Sequence, residues 1–173
     1  MDPFQLLGVE RRFDLDLATL EKTHRELSRA LHPDRYSQAG ASERRAALEK
    51  AASVNEAWRA LRDPIRRAEA LFQVHGIAVG DSHEPKATPT FLMEMLEERE
   101  ALAEARAEKD LVKVRAIGAG MSARKEAIEK QLAAGFARST DAATLTKLVP
   151  LLGELRFYKR FLDEVSAIEE ENE

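Results

Sequence analysis

Apolar residues recur every three or four positions in two stretches of the first half of the chain, with polar residues between them. The stretches are Leu17, Leu20, Leu27 and Leu31, then Leu48, Ala51, Val54, Trp58 and Leu61. This spacing predicts two amphipathic α-helices. Between them lies His32-Pro33-Asp34, where Pro33 ends the first helix because it lacks an N–H and disfavours a helical conformation of His32. We therefore predict a helical hairpin whose turn presents His32 and Asp34.

Residues that favour helix ends bound these helices. Asp16 is a suitable N-cap for the first hairpin helix and Ser42 for the second, because their side chains can accept hydrogen bonds from unpaired backbone N–H groups. Asp63-Pro64 predicts the N-cap and first residue of a further helix, and Gly76 predicts its end.

The first hairpin helix has two different faces. His24 falls among the leucines, so we expect a core-packed histidine rather than a ligand or a catalyst. Lys22, Arg25 and Arg29 fall nearly opposite. A basic face is either merely solvated or docks a partner, and the neighbouring His32-Pro33-Asp34 loop favours docking.

The second half of the chain is separated from the first by residues 77–90, which contain Gly80 and two prolines among polar residues and predict a linker. Helical spacing then resumes in three stretches. The fold class we predict is all-α, with an N-terminal helical hairpin in residues 1–76 and a C-terminal antiparallel three-helix bundle in residues 91–173.

Glycine and proline interrupt two of the three bundle helices. Gly118 and Gly120 each weaken the second helix by about 1 kcal/mol relative to alanine, which would permit a kink there. Pro150 and Gly153 are expected to interrupt the last helix.

The first bundle helix carries more apolar residues than one buried face requires. Phe91, Met95 and Leu102 fall on one side, which we assign to the core. Met93 lies more than a quarter-turn away, and Leu96 lies between Met93 and the core edge. Three glutamates share Met93's side: Glu97, Glu100 and Glu104. We expect the apolar pair to be exposed within this acidic rim.

Phe157 and Phe161 form a similar pair, one turn apart on the last helix and off its main apolar stripe. Exposed Met, Leu and Phe side chains that group together usually mark a recognition site. The sequence therefore predicts a protein-binding surface on the bundle.

Composition excludes several kinds of site. The 173 residues include no Cys, which excludes disulfides, thiol catalysis and an iron–sulfur cluster held by thiolates of this chain. The four histidines lack metal-ligand spacing. Although His32 and Asp34 resemble an acid–base pair, the sequence offers no accompanying nucleophile, phosphate-binding loop or metal cluster. We expect no enzyme activity, metal or cofactor.

Charge and hydropathy bear on partners and location. The net charge of −4 argues against general nucleic-acid binding, and up to Gly76 there are 13 basic and 12 acidic residues, so the acidic half is the C-terminal one. No apolar run approaches the length of a membrane span. We expect a soluble, cytoplasmic protein with no nucleic-acid or membrane partner.

His32-Pro33-Asp34 and its flanking helices resemble the J-domain, the module that docks on heat-shock-70 chaperones and stimulates their ATP hydrolysis. Two longer runs are similar to the specialised co-chaperone family HscB. They are Val54-Asn55-Glu56-Ala57-Trp58-Arg59-Ala60-Leu61-Arg62-Asp63-Pro64 and Phe91-Leu92-Met93-Glu94-Met95-Leu96-Glu97. His24 departs from this resemblance, since an aromatic residue is expected there.

The resemblance implies two binding surfaces. Docking on a heat-shock-70 chaperone of the HscA kind would involve His32, Pro33, Asp34, Lys22, Arg25, Arg29 and Arg35. Binding of an iron–sulfur cluster scaffold protein of the IscU kind would involve Leu92, Met93, Leu96, Glu97, Arg99, Glu100, Glu104 and Phe157. The alternative is a generic J-domain protein that delivers other clients, which would leave the segment from Phe91 to Leu102 unexplained.

Overall fold

The computed structural model describes residues 2–80 and 86–172. Within them the chain forms α-helices, one 3-10 turn and no strand, which confirms the all-α fold class. The chain divides into two compact units, Met1–Ile77 and Ala78–Glu173, which we describe separately. Residues 81–85 of the predicted linker, Pro85 among them, lie outside the described ranges. No helix in those ranges is both long enough and apolar enough to cross a bilayer.

The first unit is built on the predicted hairpin. Its elements are α1 (Pro3–Leu7), α2 (Leu17–Ala30), a 3-10 turn (Pro33–Tyr36), α3 (Ala41–Arg62) and α4 (Pro64–Val74). α3 packs against each of the other three helices. The core side chains include Phe4, Leu20, Leu61, Leu71 and Phe72. Two residues of the predicted apolar stripes, Leu17 and Leu48, are instead exposed.

The predicted helix ends in this unit are confirmed except for one. Asp16 caps α2 by accepting from the Ala18 N–H, and Asp63 caps α4 by accepting from two backbone N–H groups. Gly76 follows the last residues of α4 with a φ of 73°, a left-handed conformation that glycine adopts without strain. The Ser42 prediction is wrong, because α3 begins at Ala41, two residues earlier than a Ser42 cap allows, with Gly40 as its extended N-cap.

The second unit contains α5 (Pro89–Ala107), α6 (Leu111–Arg138), a short α7 (Ala142–Thr146) and α8 (Val149–Glu170). α6 runs antiparallel to both α5 and α8, so α5 and α8 are parallel to each other. Between α5 and α6 the contacts are Glu98–Arg124 and Glu104–Lys113. Between α6 and α8 they are Arg115–Glu169 and Gly118–Val165. Between α5 and α8 they are Phe91–Phe157 and Arg106–Glu171. α5 includes the last two residues of the predicted linker, Pro89 and Thr90, and Thr88 is its N-cap.

The glycines and the proline of the bundle have different effects on its helices. α6 is one helix of 28 residues that includes Gly118 and Gly120. The break in the last segment falls before Pro150, between α7 and α8, and Pro150 lies in the first turn of α8. At that position a helix N–H has no intrahelical partner, so proline is tolerated. The predicted interruption is therefore confirmed next to Pro150 and wrong at Gly153, because α8 runs unbroken from Val149 past Phe157.

Candidate functional site

The His32-Pro33-Asp34 loop is held in a defined conformation by its own backbone. α2 ends at Ala30, and His32 is extended, with φ −61° and ψ 134°, as the residue before a proline should be. His32 Nδ1 accepts a hydrogen bond from the Asp34 N–H at 3.3 Å and lies 3.5 Å from Asp34 Oδ2. His32 Nε2 forms no hydrogen bond within the described residues. The hydrogen bond to Nδ1 thus orients the imidazole, and Nε2 is available to a partner.

The residues that follow keep Asp34 in place. The Ser37 hydroxyl donates a hydrogen bond to the Asp34 carbonyl oxygen at 2.9 Å, and the Ser37 N–H lies 3.4 Å from the same oxygen. The Asp34 side chain itself is exposed. The loop therefore has a supported backbone and accessible polar side chains, which suits recognition by another protein.

All four basic residues predicted for the first surface are exposed: Lys22, Arg25, Arg29 and Arg35. Arg25 lies 3.6 Å from Glu21 on the same helix. The other three form no ion pair with any residue that the structure describes. The predicted basic face therefore retains most of its charge for a partner.

His24 is a half-buried residue of α2 whose side chain contacts α3. Its ring stacks on Trp58 at 4.5 Å between centroids, and its Nε2 is 2.8 Å from Asn55 Oδ1. The histidine thus supplies the flat ring that the family resemblance leads us to expect from an aromatic residue. Its packing role is confirmed.

The second surface contains three large apolar side chains on α5 that are mostly exposed. Leu92, Met93 and Leu96 are 51%, 60% and 53% exposed. Phe91, Met95 and Leu102 on the other side of α5 are buried, as the pattern predicts. We call the exposed surface of Leu92, Met93, Leu96, Glu97, Arg99 and Glu100 the recognition face. Such a cluster is costly in water unless a partner covers it.

Phe157 joins this surface from α8. Its ring meets the Phe91 ring edge to face at 5.5 Å, and the Arg99 guanidinium lies over it at 5.3 Å. Phe157 is half-buried, whereas Phe161 is 0% exposed and belongs to the core. The expectation that both phenylalanines are exposed is therefore wrong for Phe161. Its side chain, one helical turn after Phe157, faces the interior of the bundle.

The glutamates of the acidic rim are not equivalent. Glu104 Oε2 accepts a hydrogen bond from Lys113 Nζ at 2.8 Å, and this bond lowers the pKa of Glu104 and raises that of Lys113. Glu97 and Glu100 form no ion pair in the described part of the chain. A basic partner would therefore meet Glu97 and Glu100 as free charges and Glu104 as a charge already balanced.

Within the described ranges no group of His, Asp and Glu side chains is arranged to hold a metal ion. A cavity of about 520 Å³ lies in the first unit between α1, α3 and α4, and its lining includes Leu6, Ala57 and Ala70 but no residue of either predicted surface.

Arg160, which lies near Phe157, is not among the residues that the sequence predicts for the second surface. The Arg160 guanidinium lies 5.9 Å from the centre of the Phe157 ring. Its position three residues after Phe157 places both on one side of a helix, and this spacing is a signal that the sequence contained.

The fold and the exposed loop define a J-domain protein with a second, helical domain. Residues 2–70 match the family model described as "DnaJ domain", and residues 87–166 match "HSCB C-terminal oligomerisation domain". The chain belongs to the HscB family of co-chaperones.

Two relatives and one solved structure show how far the similarity extends along the chain. The co-chaperone HscB homologue of Bordetella avium is 35% identical over 97% of both chains. The homologue of Cupriavidus taiwanensis is 43% identical, but that match covers 60% of this chain and 59% of the relative. The solved structure of chaperone HscB from Vibrio cholerae superposes with a TM-score of 0.86 at 30% identity, covering 99% of both chains.

Proposed function

We propose that this chain binds an iron–sulfur cluster scaffold protein of the IscU kind, delivers it to a heat-shock-70 chaperone of the HscA kind, and stimulates that chaperone's ATPase. The chain itself catalyses no reaction and needs no cofactor for these steps. The observation that carries the proposal is the presence, in one chain, of an oriented and exposed His32-Pro33-Asp34 loop and of the recognition face on α5.

The chaperone step is assigned to the first unit, residues 1–76. The loop supplies His32 and Asp34 as polar contacts, and the exposed charges of Lys22, Arg29 and Arg35 favour an acidic surface on the chaperone. Long-range attraction of this kind mainly raises the rate of association.

Scaffold binding is assigned to the bundle, residues 91–173, which residues 77–90 join to the J-domain. Leu92, Met93 and Leu96 supply apolar area, while Glu97 and Glu100 favour basic groups at its edge. The family match of residues 87–166 supports this assignment. The alternative, a generic J-domain protein, would leave the apolar surface on α5 unexplained.

Purified proteins test both halves of the proposal. Titration calorimetry with a scaffold protein measures the first, and single-turnover ATP hydrolysis by the chaperone, with and without scaffold, measures the second. We expect binding of the scaffold and a larger stimulation of hydrolysis when it is present. Stimulation without any binding of the scaffold would favour the generic J-domain protein instead. A pull-down from cytoplasmic extract, the location we propose, adds a test of partner choice.

A further inference from the structure

Two arginines approach the same aromatic ring at the edge of the recognition face. Arg99 of α5 lies 5.3 Å from the centre of the Phe157 ring, and Arg160 of α8 lies 5.9 Å from it. The two helices therefore place two positive charges around one aromatic ring, where only one was expected from the sequence.

The charge of both arginines is available to a partner. Among the described residues of the second unit, several cations lie in ion pairs: Arg106 with Glu171, Lys113 with Glu104, Arg115 with Glu169, Arg124 with Glu98, and Lys159 with Asp163. Others, such as Lys130 and Lys147, are exposed and form none in the described residues. Arg99 and Arg160 have none in the same ranges, although Glu164 lies one turn beyond Arg160 on α8. Both side chains are exposed.

The hydrogen-bonding capacity of both arginines is available. Neither Arg99 nor Arg160 forms a hydrogen bond within the described residues, and a guanidinium near an aromatic ring is attracted through its charge. The five N–H donors of a guanidinium form a planar fork that matches the two oxygens of a carboxylate. The donors of both side chains can therefore be used by a partner.

The charges of the recognition face are also separated by sign. At 100° per residue, Arg99 falls on the side of Leu92 nearest α8, while Glu97 and Glu100 fall beyond Leu96 on the opposite side. Leu92 and Leu96 lie between the two, and Met93 lies among the glutamates. A partner that covers the face must present opposite charges at its two edges.

We propose that Arg99 and Arg160 form a carboxylate-binding site around Phe157, which receives an Asp or Glu side chain of the scaffold partner and so sets the orientation in which it binds. This inference rests on the proposed scaffold binding and adds to it a residue, Arg160, and the chemistry of the group that it recognises.

Charge substitutions at Arg160 test the site, with titration calorimetry against a purified scaffold protein at low and high salt. Arg160→Glu should weaken binding on the order of tenfold at low salt, and the loss should shrink at high salt, where the attraction is screened. Arg160→Gln should show a smaller, equally salt-dependent loss. The matched control is Lys159→Glu, which makes the same charge change one residue away and should bind like the unaltered chain.

The results separate this inference from the proposed function. If Leu96→Ser abolishes binding but Arg160→Glu binds like Lys159→Glu, the scaffold assignment stands and the carboxylate site is wrong. A loss with Arg160→Gln that is the same at all salt concentrations would also overturn the site, since it would show that Arg160 only positions the Phe157 ring. If the unaltered chain does not bind the scaffold, both proposals fail.

Discussion

Arg67 Nη1 donates a 2.7 Å hydrogen bond to the carbonyl oxygen of Phe13, and its Nε donates a second of 2.7 Å to the carbonyl oxygen of Leu61. Arg67 is only 6% exposed. The last carbonyl groups of a helix have no intrahelical partner and carry partial negative charge. A single buried guanidinium thus caps the end of α3 and ties it to the loop before α2.

Replacing Arg67 should therefore destabilise the J-domain strongly. We expect Arg67→Met to lower its free energy of unfolding by about 2–4 kcal/mol, because buried carbonyl groups lose charged hydrogen bonds. Denaturant unfolding followed by fluorescence measures it directly, since Trp58 is the only tryptophan and lies in this unit. The control is Arg66→Met, which removes a surface ion pair with Glu56 and should change stability by less than about 1 kcal/mol.

His32→Gln should abolish stimulation of the chaperone's ATPase and leave the fold intact. The His32 side chain is exposed and its polar contacts are with Asp34 of the same loop, so its replacement should cost little core packing. Single-turnover hydrolysis and a thermal melt are the two measurements. Undiminished stimulation by the variant would contradict the assignment of the loop.

Charge reversal on α2 should weaken chaperone docking in a salt-dependent way, and more at Arg29 than at Arg25. Glu21 already balances part of the Arg25 charge, whereas Arg29 has no ion pair in the described residues. Association rates at low and high salt should therefore rank Arg29→Glu below Arg25→Glu, and both below Arg45→Glu on α3. Equal rates for all three variants at every salt concentration would show that the basic face is solvated and does not dock the chaperone.

The recognition face should contribute to binding and little to folding. The double variant Met93→Ala, Leu96→Ala should melt nearly like the unaltered chain and lose the scaffold, because both side chains are exposed in the free protein. Phe161→Ala provides the contrast: its buried ring predicts a loss of about 3–5 kcal/mol of stability. Phe157→Ala should fall between them, since it gives up the edge-to-face contact with Phe91. Circular dichroism and calorimetry distinguish these outcomes, and unfolding of the double variant would show that the face is core.

Two glycines of α6 should respond to alanine in opposite directions. A Cβ at Gly118 would lie 2.9 Å from Val165 Cγ1, and a valine side chain cannot rotate freely to relieve the contact. A Cβ at Gly120 would meet nothing within 4 Å. We expect Gly118→Ala to destabilise the bundle, and Gly120→Ala to stabilise it by about 0.5–1 kcal/mol through helix propensity. Thermal melts measure both, and equal shifts would argue against close packing of α6 on α8.

The sequence by itself determined the features that depend on neighbouring residues. The helical spacing, the break at Pro33, the caps at Asp16 and Asp63, and the exposure of Met93 and Leu96 all follow from local sterics, local hydrogen bonds and a period of 3.6 residues. These were sufficient for the all-α class and for the exposed part of the recognition face.

Only the tertiary structure decided what depends on a second helix. Gly118 and Gly120 have the same helix propensity, and only the approach of Val165 distinguishes them. Phe161 is buried because of what packs against α8, the role of Arg67 comes from carbonyl groups on other segments, and Arg99 of α5 approaches the Phe157 ring of α8. A pattern along one helix gives the direction of each side chain but not the element it meets, because that contact joins residues far apart in the chain.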